Sequence, residues 1–170
     1  AAPGLEVGKN LSGGATTFNG DFVDATVPEG VKCFLTDGAS WAGWGVSLTN
    51  ATEDLSLYSN GYLRFWAKST KPLKISVEGP VGTKRTNTIA STGGAWQEFA
   101  LPVSGFSPVN LRQVYAPFQV TAETGTTFFV DDVRWMRGTN ITVTPAKSMI
   151  YWDACIPAGS EVVVWRASQY

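Results

Sequence analysis

The chain has 170 residues, 44% hydrophobic and 16% charged, with 13 basic against 14 acidic side chains and no histidine. That length suits one domain with a real core, and the hydrophobic content excludes a disordered chain. The balanced charge carries no footprint for nucleic acid and no polybasic or amphipathic membrane anchor, while the lack of histidine excludes Ser-His and Cys-His catalysis and His-ligated zinc. No apolar run reaches the roughly 18 residues of a membrane span. The opening AAP carries no signal peptide and is compatible with the end of a removed signal or with a linker.

In chain order, residues 5–22 are broken by four glycines and read as a short strand and loops. VKCFL (31–35) is a strand with Val31, Cys33 and Leu35 on one face, and WGVSL (44–48) follows a glycine-rich loop, with Trp44, Val46 and Leu48 together. GYLRFWAK (61–68) is the most informative stretch. Period two puts Leu63, Phe65 and Ala67 on a dry side and Tyr62, Arg64, Trp66 and Lys68 on the other. Two aromatics flanking an arginine suit neither a core nor bare water; they suit a groove that a flat, hydroxyl-rich ligand fills. Residues 74–78 turn Ile75 and Val77 inward, and 84–90 alternate as a polar edge or groove strand. WQEFALPV (96–103) aligns Phe99, Leu101 and Val103. LRQVYAPFQVT (111–121) points Val114, Ala116, Phe118 and Val120 one way and Gln113, Tyr115, Pro117 and Gln119 the other. TTFFVDDVRW (126–135) is the strongest strand, and 140–143 and 161–165 close the series. Short strands between turn signals predict an all-β sandwich, a jelly roll of two antiparallel sheets.

The ordered set WAGWGVSL, DLSLYSNGYLRFWAKS, GAWQEFALPV, VYAPFQVT and TTFFVDDVRW resembles the galactose-binding-like, β-jelly-roll carbohydrate-binding modules attached to polysaccharide-degrading enzymes. It is also similar to the jelly-roll accessory domain of bacterial exo-β-glucosidases. The likeness covers roughly Trp41 to Met136. It implies one carbohydrate-binding domain over 1–170, with 5–137 family-like and 138–170 an extension packed on the same domain. It further implies a secreted module, linked to a catalytic domain, that takes polysaccharide, β-glucan ahead of xylan or mannan.

Stacking on sugar ring faces needs aromatic rings, and the edge hydroxyls need amides or guanidinium groups. Tyr62, Arg64 and Trp66 on one strand and Gln113, Tyr115 and Gln119 on another supply both, in one cleft if the strands share a sheet. Trp41, in its glycine-rich loop, is a second stacking candidate; Trp44, Trp96 and Trp135 read as structural. Asp131 and Asp132 are adjacent in a strand, so their side chains are expected on opposite faces. The resemblance implies a structural calcium held by Asp132 with Glu6, Asp21 and Asp37 being weaker partners; the alternative is an ion pair to Arg134 or Arg137. Cys33 and Cys155 form either one long-range disulfide or two buried thiols. Two other functions compete. A small glycosidase would need carboxylates such as Glu78 and Glu98 across a cleft, and a lyase a Tyr115 and Arg112 pair. An adhesion sandwich would bury the aromatic face against another protein.

Overall fold

The structure, a computed structural model, describes residues 5–11, 16–38, 42–48, 51–138 and 162–165. The described residues hold eleven strands: β1 (Leu5–Leu11), β2 (Thr16–Val23), β3 (Lys32–Gly38), β4 (Ala42–Leu48), β5 (Tyr62–Ser69), β6 (Leu73–Glu78), β7 (Lys84–Ile89), β8 (Gln97–Pro102), β9 (Ala116–Ala122), β10 (Thr126–Met136) and β11 (Val162–Trp165). They form two sheets: sheet I in the order β1-β4-β9-β6-β7, and sheet II in the order β2-β3-β10-β5-β8. Every pairing among the described strands is antiparallel. This is the predicted two-sheet jelly roll.

The core follows from period two on each strand. Sheet I turns Trp44, Val46, Ile75, Val77, Phe118 and Val120 inward; sheet II answers with Phe34, Leu63, Phe65, Phe128, Val130 and Trp135. Rings meet across the gap, Phe34 with Trp44 at 4.6 Å and Phe65 with Phe118 at 5.5 Å between centroids. The buried Trp135 indole donates to the Pro117 carbonyl at 3.2 Å, which satisfies its one polar atom.

Several local expectations change. Residues 5–22 hold two strands, because glycines interrupt but do not end pairing when a neighbour supplies the ladder. On β3 the core side is Phe34 with the buried Thr36, while Val31 lies outside the strand and is exposed. Residues 111–115 are not part of β9. Asn110 and Arg112 hold a turn there, with the Arg112 N–H on the Asn110 carboxamide at 3.1 Å. β10 is long enough to serve three partners: β5 along one edge, and β3 then β11 along the other. β11 thus adds a strand from the C-terminal segment to sheet II. The strand expected at 140–143 lies outside the described residues.

Candidate functional site: the outer face of sheet II

β5 is flanked by β10 and β8, so its inward residues complete the core and its other residues face out of sheet II. The predicted Tyr62, Arg64, Trp66 and Lys68 all lie on this outer face. Tyr62 is 45% exposed, and Arg64, Trp66 and Lys68 are half-buried. Opposite them on β8, Trp66 faces Glu98, Arg64 faces Ala100 and Tyr62 faces Pro102. Trp96 immediately precedes β8 and reaches the same face beside Lys68, whose ammonium lies 5.8 Å from its ring. Tyr62 stands four residues from Trp66 on the same face, about 13 Å along the strand. The three rings make a strip running along β5 and β8.

A second row of rings crosses the strands. Phe22 and Phe129 lie 5.6 Å apart, Phe129 and Trp96 6.2 Å, and the Lys68 ammonium sits over Phe129 at 4.9 Å and Trp96 at 5.8 Å. Sequence reasoning missed Phe22 and Phe129 and read Trp96 as structural. One signal was present: adjacent Phe128 and Phe129 in a strand must point to opposite faces, so one of them looks out.

The loop 24–31 between β2 and β3 is tied to this face at two points. Asp24 accepts from Lys68 at 3.1 Å, and Glu29 accepts from Arg134. The Thr26 hydroxyl and N–H both donate to Asp24, and with the Lys68 charge they hold its carboxyl down near pKa 2. Cys33 is a buried free thiol whose pKa burial pushes up to about 12. Cys155, its expected partner, lies outside the described residues.

Asp131 and Asp132 are not placed on opposite faces. The register shifts between Asp131 and Arg134, a bulge with Asp132 at φ 51°, so one extra residue is absorbed and Val133 returns to the core. Asp131 sits opposite Trp66, and Asp132 reaches the outward-facing Arg134, its Oδ1 lying 2.6 Å from Nε as an ion pair without an aligned hydrogen bond. Burial pushes the Asp132 carboxyl up to about 7; its hydrogen bond to Glu29 adds to this, and Arg134 pulls the other way. A calcium ion needs a shell of six to eight oxygens. Asp132 instead faces a guanidinium, and among the described residues no three acidic or cysteine side chains converge on one point. The described surroundings of Asp132 therefore do not fit calcium. Glu6 belongs to β1, at the edge of sheet I; its side chain, like Trp41, lies outside the described residues. The weaker candidates are engaged elsewhere, Asp21 with Lys32 and Asp37 with Thr127.

The remaining predicted residues are elsewhere. β9 belongs to sheet I, so Gln119 looks out of the opposite side of the sandwich, where its amide donates to Glu78 at 2.9 Å. Gln113 and Tyr115 precede β9; the Gln113 carboxamide accepts from Asn110 at 3.2 Å. The single cleft expected from the two strands is not assembled. The same division separates Glu78, on β6, from Glu98, on β8 and paired with Arg64.

No family model matches the chain, and no curated protein matches it in sequence. Its fold does match solved structures. A family 30 carbohydrate-binding module superposes with a TM-score of 0.58 at 17% identity, over 86% of this chain and 89% of that one. The family 30 module of the cellulosomal cellulase Cel9D-Cel44B of Clostridium thermocellum gives 0.51 at 18% identity, over 77% and 88%. An exo-β-agarase gives 0.58 at 12% identity, over 75% of this chain but 22% of the agarase. The chain has the two-sheet jelly-roll fold of these carbohydrate-binding modules.

Proposed function

We propose that the protein is a non-catalytic carbohydrate-binding module that takes a single polysaccharide chain along the outer face of sheet II. The observation that carries this reading is the strip itself: Tyr62, Trp66 and Trp96 on one outward sheet face, with Arg64 and Glu98 between the rings. Rings of this kind stack on the C–H faces of sugars, while the guanidinium and carboxylate meet the edge hydroxyls as donor and acceptor. Sugar hydroxyls are nearly as well bonded to water, so affinity is modest, in the micromolar to millimolar range. β-Glucan stands ahead of xylan and mannan, a preference supported by the family resemblance and by the cellulase origin of one matching module. Such a module would target a linked catalytic domain to its substrate outside the cell.

The test is affinity electrophoresis through gels containing mixed-linkage β-glucan, xylan or glucomannan. The wild-type protein is expected to be retarded, and Trp66→Ala to lose at least about tenfold in affinity with an unchanged melting temperature. Retardation on no polysaccharide, with the aromatic face instead capturing a protein, would move the assignment to an adhesion sandwich.

A further inference from the structure

Three cations of this face, Arg64, Lys68 and Arg134, are each met by an acid of the same chain: Glu98, Asp24, and Glu29 with Asp132. Two of these pairings tie down loop 24–31. The pair Arg64–Glu98 holds no loop. It links neighbouring strands, its side chains are 37% and 39% exposed, and it lies within the strip, Arg64 between Tyr62 and Trp66 and Glu98 directly opposite Trp66. An exposed ion pair contributes little to stability, so its consequence is what the strip can accept.

Arg64 also sits directly opposite Arg134 across β5 and β10. Two like charges in register repel and make a concentrated positive spot unless acids flank them. Without Glu98, the Arg64 guanidinium would offer a flat fork of N–H donors suited to a carboxylate. With Glu98 on the fork, an anionic sugar meets a filled donor and a like charge. A neutral chain meets no such barrier, since hydroxyls both donate and accept.

We propose that Glu98 is a specificity-determining residue that neutralises Arg64 and keeps uronate-bearing chains off the strip. This rests on the strip being the carbohydrate site. Affinity electrophoresis of the wild-type protein, Glu98→Gln, Glu98→Ala, Glu98→Gln with Arg64→Gln, and the charge control Glu123→Gln tests it, in gels of mixed-linkage β-glucan or of polygalacturonate. The wild-type protein and Glu123→Gln are expected to pass polygalacturonate unretarded. Glu98→Gln and Glu98→Ala gain affinity for it of at least about tenfold, and the double variant loses that gain. If the wild-type protein binds β-glucan but neither Glu98 variant gains polygalacturonate, the role given to Glu98 is wrong and the binding strip stands. Retardation of the wild-type protein by polygalacturonate also overturns that role. If the wild-type protein binds no neutral glycan, the carbohydrate reading itself fails.

Discussion

Asp132 is a carboxyl group buried in a β-strand at a left-handed backbone angle, beside a second carboxyl on Glu29 and the guanidinium of Arg134. Its pKa rises from the ordinary 3.8 to about 7, because burial disfavours the charged form more than Arg134 favours it. The folded state therefore binds this proton more tightly than the unfolded chain does. The resulting stability is complete below the unfolded pKa and is lost as pH climbs from about 4 to about 7. Asp24 works in the opposite sense: its depressed pKa matters only below about 4 and lies outside this window. Melting temperature measured from pH 4 to 8 should fall more steeply in the wild-type protein than in Asp132→Asn. Identical slopes would show that Asp132 titrates normally.

β5 depends on glycine at its entry. A Cβ on Gly61 would lie 1.8 Å from the Met136 carbonyl oxygen, and one on Gly138 would lie 2.2 Å from that of Asn60. The start of β5 and the exit of β10 thus interlock backbone to backbone. Because Met136 pairs with Tyr62, any displacement there shifts the strip. Gly61→Ala is expected to destabilise by about 3 kcal/mol, through overpacking against groups that cannot rotate away. Urea unfolding measures this, and a midpoint within error of the wild type would mean that the crossing is looser than the backbone contact implies. The run GYLRFWAK was legible because a central strand must commit one face to the core. Residues 111–114 were not, because alternation continues through a turn whose backbone bonds go to Leu55 and Glu53, and only at Tyr115 do they reach the ladder neighbours, Glu78 and Leu48.

At the scale of the molecule, the two sheets divide what looked like one site. Tyr62, Arg64 and Trp66 open on one side of the sandwich, while Gln119 opens on the other and Tyr115 stands at the head of the same sheet I strand. A single chain lying along sheet II touches only the first set. Tyr115→Ala should therefore leave retention on β-glucan gels unchanged, whereas Trp66→Ala abolishes it. Equal loss in both variants would mean that the ligand wraps around the sandwich or that the site lies elsewhere.

The sequence by itself determined the fold class and which side of most strands is dry, because alternation between core and solvent is local and repeats every two residues. It also identified Trp66 and Tyr62 as rings out of place on a solvent side. Which strands become neighbours depends on pairings between distant residues, and period two is silent about those. Tertiary structure alone joined Trp96, Phe129 and Phe22 to that face, and sent Gln119 to the far side. It also bent the strand at Asp132 so that both aspartates serve the same surface.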